Sequence, residues 1–169
     1  GGGWPYKLWP AERFADVADG LAQTHGARAL VFVGPGEAPL ADRLCRAMRH
    51  PVLRVENVPL RMLAALIQAC RLFVGNDSGP MHIADAVGTR IVALFEPTDD
   101  IRSGPFGSEH VVVRSAVRLR CNPCHPGRRP GGCGKGFCEP LYSIRSPEVV
   151  EAARRQLDRV AEGKRYDTG

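Results

Sequence analysis

The chain has 169 residues, 44% of them hydrophobic and 24% charged, a balance that fits one well-buried globular domain and excludes a disordered or collagen-like chain. No stretch approaches the roughly 20 consecutive apolar residues that span a bilayer, and Gly1-Gly2-Gly3-Trp4-Pro5-Tyr6-Lys7 lacks the charged-then-apolar pattern of a signal peptide. The formal charge of +5 suits an anionic partner (nucleotide, phosphate, membrane headgroup or nucleic acid) and equally suits a solvated basic surface.

The start at Gly1, without a methionine, is that expected of a fragment or trimmed chain. Pro10 is placed to open a helix, where its missing N–H costs nothing, and Phe14, Val17, Ala18 and Leu21 follow at helical spacing until His25-Gly26. Ala29-Leu30-Val31-Phe32-Val33 is a continuous apolar run, as expected of a strand buried on both faces. After the turn Gly34-Pro35-Gly36-Glu37, Leu40, Leu44, Ala47 and Met48 trace a second helix. Val52 to Val55 reads as a short strand, and Leu60, Leu63, Ala64, Ile67 and Cys70 as a third helix. Cys45 and Cys70 sit alone in these apolar patterns and read as small core residues.

Leu72-Phe73-Val74 is the next strand, followed by a glycine-bounded turn and a short helix from about Pro80 to Val87, stopped by Gly88. Ile91 to Phe95 and Val111 to Val113 complete the strands. Strands alternating with helices indicate a Rossmann-like α/β domain of three layers around a parallel sheet. Residues 119–140 are an irregular Cys-, Pro- and Gly-rich loop. Ser146 and Pro147 introduce a last helix over about 147–162, with Ser146 as its cap. No internal repeat or long linker appears, so residues 1–163 form a single domain and 164–169 a frayed tail.

The segment Gly75-Asn76-Asp77-Ser78-Gly79-Pro80-Met81-His82 lies where a strand feeds a helix through small residues. First-turn N–H groups and the helix dipole favour an anion at such a place, and the carboxyl edge of a parallel sheet is the usual ligand crevice. Ser78 and His82 can reach the same pocket. The plainer reading is a strand–helix turn capped by Asp77 or Ser78, with His82 a solvated polar residue. The segment is neither a P-loop nor a dinucleotide fingerprint, and Gly34-Pro35-Gly36 is only a weak start of the latter. Thr98-Asp99-Asp100 reads as a turn or cap more than as metal carboxylates. Trp9 reads as packing rather than a stacking platform, and Lys7 from its residue type alone is a solvated lysine.

Gly75-Asn-Asp-Ser-Gly-Pro-Met-His-Ile-Ala-Asp-Ala-Val-Gly-Thr, followed by Ile91-Val-Ala-Leu-Phe-Glu-Pro-Thr-Asp-Asp and Gly104-Pro-Phe-Gly, closely resembles glycosyltransferase family 9, the ADP-heptose:lipopolysaccharide heptosyltransferases. Lys7-Leu8-Trp9-Pro10, Gly34-Pro35-Gly36-Glu37 and Cys121-Asn-Pro-Cys124 also fall where that family has similar residues, and the resemblance covers roughly residues 1–145. It implies the C-terminal, donor-binding lobe of a two-lobed GT-B fold. The other lobe, which binds the acceptor and carries the general base, is absent from these residues. It also implies an inverting transfer of heptose or a related sugar from a nucleoside diphosphate, ADP-heptose being the expected donor, to a lipopolysaccharide-core or similar glycan. These residues alone would then be inactive. No cofactor is implied for the transfer.

Carried over residue by residue, Lys7 contacts a donor phosphate and stabilises the leaving diphosphate, with Gly2 and Gly3 beside it. Glu37 accepts from the ribose hydroxyls, and Val58 lines the nucleobase pocket. Asp77, Ser78, Gly79 and His82 surround the pyrophosphate and sugar, Asp77 bonding sugar hydroxyls or orienting Lys7. Glu96 stands where the family usually has Gly, and is expected at the pocket rim. The expected location is cytoplasmic, with peripheral contact at the anionic inner face of the cytoplasmic membrane.

Cys121, Cys124, Cys133 and Cys138, with His125 as a substitute ligand, have spacings that fit a tetrahedral structural zinc, and equally free thiols, with disulfides the less expected state. With Arg128, Arg129 and Lys135 in the same loop, the alternative function is a non-catalytic nucleotide- or nucleic-acid-binding module with a zinc-stapled basic loop. The scattered basic residues and the lack of an aromatic stacking array make nucleic acid the less expected partner.

Overall fold

The computed structural model describes residues 4–107, 109–121, 124 and 134–166, with 160–166 as helical backbone. A 3₁₀ turn at Pro5–Lys7 leads into α1 (Ala11–His25), β1 (Ala29–Val33), α2 (Ala38–Ala47), β2 (Val52–Glu56), α3 (Leu60–Ala69), β3 (Phe73–Asn76), α4 (Gly79–Ala86), β4 (Ile91–Leu94), α5 (Asp100–Ser103), β5 (Val111–Val113), α6 (Glu139–Ser143) and α7 (Ser146–Tyr166). Helix α1 ends as its sequence requires: Gly26 takes the left-handed conformation (φ 59°), and its N–H returns to the Ala22 and Leu21 carbonyls.

All strand pairs are parallel, but they form two ribbons where the sequence suggested one sheet. β1 pairs with β2, Ala29 opposite Val52 and Val33 opposite Glu56. β4 lies between β3 and β5, Phe73 opposite Ile91 and Val92 opposite Val111. The ribbons meet through side chains, since Phe32 of β1 packs into the same cluster as Phe73 of β3. Because among the described residues β1 has only β2 as a ladder partner, it is not the strand buried on both faces that its apolar run suggested; of its five residues only Val33 is buried.

The strand buried throughout is β4, whose four residues are all 0% exposed. Its alternation defines the layers, because successive strand side chains point to opposite faces. Val92 and Leu94 face α1 and α7, joining Trp9, Leu21, Leu141, Val149 and Leu157. Ile91, Ala93 and the following Phe95 face α3 and α4, joining Ile67, Met81 and Ala84. Trp9 is core packing, as expected: it stacks edge-on against Phe14, and its indole Nε1 donates to the Ile144 carbonyl at 3.0 Å.

Several local expectations are corrected. Cys45 and Cys70 are half-exposed, because each lies near the end of a short helix at the margin of the core. Helix α7 runs to Tyr166, past the boundary set at 162, so residues 164–166 continue the helix; 167–169 lie outside the described residues. Ser146 belongs to the helix itself, and its hydroxyl donates to Asp16 on α1 at 2.9 Å, so it joins two helices rather than capping one. Asp19, on α1, is buried and accepts the Arg49 and His50 N–H groups and the His50 ring. Burial pushes its carboxyl pKa up, but these donors outweigh burial and hold it below the usual range.

Candidate functional site

The site begins where β3 stops. Gly75 lies close under the Phe73 ring there: a Cβ would stand 2.7 Å from the ring edge, so a larger residue would have to displace it. Asn76 and Asp77 are buried, and Ser78, in extended conformation, is the N-cap of α4 without a side-chain capping bond. The next residue, Gly79, would place a Cβ in open space, so packing does not demand glycine at this point; the open space suits close approach of a ligand. Pro80 has no N–H, and the Met81 and His82 N–H groups both turn back to the Ser78 carbonyl. The first-turn donor left for a ligand is therefore the Gly79 N–H, fewer than the open helix terminus expected from sequence.

Three segments converge on Asp77, which is 4% exposed. From the N-terminal turn, Lys7 Nζ donates to Asp77 Oδ2 at 2.6 Å. From the loop after β4, Thr98 Oγ1 donates to the same oxygen at 2.7 Å. From α4, His82 Nε2 stands 4.0 Å from the other carboxylate oxygen, with its ring still largely exposed. The N-terminal segment is held a second time, through the Trp9 N–H on Asn76 Oδ1 at 3.3 Å. The result is a buried carboxylate with a lysine whose side chain remains 22% exposed, so the cation is anchored and still reachable from solvent. An ammonium in such a place attracts an anion, and its carboxylate partner fixes where.

Glu37 and Val58 occupy equivalent places on the other ribbon, at the carboxyl ends of β1 and β2. Glu37 precedes α2, is half-exposed, and uses one carboxylate oxygen to close its own turn on the Gly34 N–H at 3.0 Å. Val58 is half-exposed on the connection to α3. Gly2 and Gly3 lie outside the described residues.

Glu96 is not at a pocket rim. It is 1% exposed, beneath the loop after β4, with the Arg114 guanidinium Nε 3.7 Å from its Oε1; Arg114 is also ion-paired with Asp100. The extra carboxylate is accommodated inward because β5 brings an arginine to meet it. Asp99 caps α5 through the Ile101 N–H, as the cap reading of this turn expected. Asp85 on α4 accepts from the Phe106 N–H and the His110 ring, each at 2.9 Å, and so ties the loop after α5 to the site helix. Burial pushes the Asp85 carboxyl up, and these donors more than offset it, leaving its pKa below the usual range.

The cysteine loop touches the same region, because the Cys124 N–H donates to the Pro97 carbonyl at 2.8 Å. Cys121 and Cys138 are free thiols, while Cys133 and His125 lie outside the described residues. Burial, with the nearby Glu96, Cys121 and Cys124, pushes the Cys138 thiol up to about 11. Among the described residues no group of three or more His, Cys, Asp or Glu side chains is arranged to hold a metal. The zinc reading is unsupported.

Sequence reasoning missed Thr98 beside Asp77, and it gave no separate role to Asn76 within the Gly75–His82 segment. The available signal was position: Thr98 follows the strand adjacent to β3, at the same carboxyl edge.

Comparison with known proteins gives the family and the fold. The family model described as glycosyltransferase family 9 (heptosyltransferase) matches residues 2–129. Lipooligosaccharide heptosyltransferase 2 of Campylobacter jejuni is 32% identical over 156 residues, covering 89% of this chain and 47% of that protein. Lipopolysaccharide heptosyltransferase 3 of Escherichia coli is 32% identical over 110 residues, 63% of this chain and 32% of that protein. Among solved structures, a glycosyl transferase family 9 protein from Veillonella parvula superposes with a TM-score of 0.80 at 29% identity, covering 94% of this chain and 44% of that one. ADP-heptose lipopolysaccharide heptosyltransferase II of E. coli superposes with a TM-score of 0.75 at 24% identity, over 92% of this chain and 43% of that one, a likeness of fold. The chain thus spans less than half the length of these relatives.

Proposed function

Since the chain belongs to glycosyltransferase family 9, we propose that it is the donor-binding lobe of an inverting heptosyltransferase that uses a nucleoside-diphosphate heptose, ADP-heptose being the expected donor. The observation that carries this reading is the buried Asp77 carboxylate holding Lys7 beside the N-terminus of α4, at the carboxyl end of β3. That arrangement offers one anchored cation and the Gly79 N–H to a diphosphate. Ser78, with no capping bond of its own, and the exposed His82 flank the same place. Glu37 and Val58 serve the nucleoside, as a ribose acceptor and an apolar wall. A glycan of the lipopolysaccharide-core class is the acceptor, consistent with what the relatives are named for. The work is done at the cytoplasmic membrane's inner face; no helix among the described residues is long and apolar enough to cross a membrane.

In the transfer, a base outside residues 1–169 takes the proton of an acceptor hydroxyl, whose oxygen attacks the anomeric carbon from the face opposite the diphosphate. The bond from that carbon to the diphosphate oxygen breaks, and its electron pair leaves with the diphosphate. Charge grows on that oxygen as the bond breaks, so a cation fixed in advance stabilises the transition state more than the ground state. Lys7 has that role. With the base elsewhere, residues 1–169 bind donor without transferring sugar.

Calorimetric titration of this chain with ADP, beside an oligonucleotide as competitor class, tests the reading. Saturable ADP binding with no oligonucleotide response is expected. Strongly salt-dependent oligonucleotide binding with no ADP response would overturn it in favour of a nucleic-acid module.

A further inference from the structure

We propose that Thr98 is a positioning residue of this site: its hydroxyl fixes the Asp77 carboxylate and, through it, the place of the Lys7 ammonium. The inference rests on the reading of Lys7 as the cation for the donor's diphosphate. Thr98 Oγ1 and Lys7 Nζ donate to one and the same oxygen, Asp77 Oδ2, at 2.7 and 2.6 Å. The terminal torsion of an aspartate is broad, and a lysine stem has much rotamer freedom. Neither member of the ion pair could set the other's position without a third, stiffer group.

Thr98 is that group. A β-branched side chain has few χ1 choices, and its backbone leaves the most deeply buried strand of the molecule. Phe95 is held by its N–H on the Val113 carbonyl at 3.1 Å, and the Pro97 carbonyl accepts the Cys124 N–H at 2.8 Å. Order therefore runs from the core through Thr98 to Asp77, and from Asp77 to Lys7.

The second donor also bears on what happens when a diphosphate arrives. As Lys7 turns part of its hydrogen bonding to phosphate, a buried carboxylate with no other donor would be left undercompensated, which is costly. Thr98 keeps Asp77 bonded while Lys7 is shared. Without that hydroxyl, Asp77 competes harder with the ligand for the lysine.

The test is a double-mutant cycle on ADP affinity, measured by calorimetry on the 169-residue chain, with T98V, T98S, K7A and T98V/K7A. T98V removes the hydroxyl at nearly constant shape and is expected to weaken ADP binding about tenfold, the scale of one lost hydrogen bond to a charged group. T98S restores the donor and is expected to recover most of that loss. In the K7A background T98V is expected to change little, because its effect passes through Lys7. Equal loss in both backgrounds, no loss from T98V in the parent, or no recovery with T98S overturns the positioning role. If K7A itself leaves ADP affinity intact, the donor-site reading falls instead. Should T98V fail to fold, T98A against T98S carries the same comparison.

Discussion

On the β3–β4–β5 ribbon Asn76 and Asp77 at the strand end are buried and bonded to the N-terminal segment, whereas on the β1–β2 ribbon Glu37 and Val58 are half-exposed. Asp77 is enclosed with Lys7 and Thr98. Glu37 closes its own loop, and the neighbourhood of Val58 includes side chains open to solvent: Leu60 at 69% and Met62 at 52% exposure. The difference follows from packing. β4 gives the first ribbon a centre buried on both faces, and its loops inherit that rigidity; β2 is an edge with outward-facing residues. On the proposed donor reading, fixing the phosphate end in advance lowers the reorganisation needed where charge develops, and a more open nucleoside end can bind and release by adjusting side chains.

The largest expected effect separates the two regions by stability. Met81, 0% exposed on the buried face of α4, sits in the cluster that supports the site. Met81→Ala is expected to lower unfolding free energy by about 2–5 kcal/mol, as large-to-small core changes do, whereas Met62→Ala on the open side should cost no more than about 0.5 kcal/mol. Urea denaturation of both variants measures the contrast; equal losses would remove it.

A smaller effect separates the regions by ligand. Glu37→Gln keeps an acceptor for the Gly34 N–H but weakens the acceptor offered to ribose hydroxyls. It is expected to reduce ADP affinity by roughly five- to tenfold, on the scale of a weakened charge-assisted bond, and to leave affinity for inorganic pyrophosphate unchanged. Lys7→Ala should weaken both ligands. Competition titration with the two ligands reads the split, and a Glu37→Gln loss shared by pyrophosphate would merge the two ends into one.

Most of the scaffold was legible in the sequence because apolar runs and helical stripes report burial directly. Ile91 to Phe95 read as a buried strand and is one. The same logic overstated Ala29 to Val33, since a run of apolar residues does not say how many neighbours the strand has. Polar residues buried by distant partners were not legible. Glu96 looked like a rim residue until Arg114, eighteen positions on, accounted for it. Asp19, which holds the Arg49 and His50 backbone, carried no local signal of that role. Within the site, Lys7 and Asp77 were named through family resemblance, and the structure joins them. Thr98 was read as part of a turn, because its local sequence says turn and only the register of β3 against β4 brings it to Asp77.

The central claim is that a nucleoside diphosphate binds against Lys7 and the start of α4. Amide chemical-shift mapping of the 169-residue chain during ADP titration tests it most directly. The expected result is that the largest shifts fall on Lys7 and on Asp77 to His82, with smaller ones near Glu37 and Val58. Shifts confined to the cysteine-containing segment around Cys121–Cys138, or no saturable shifts at all, would contradict it.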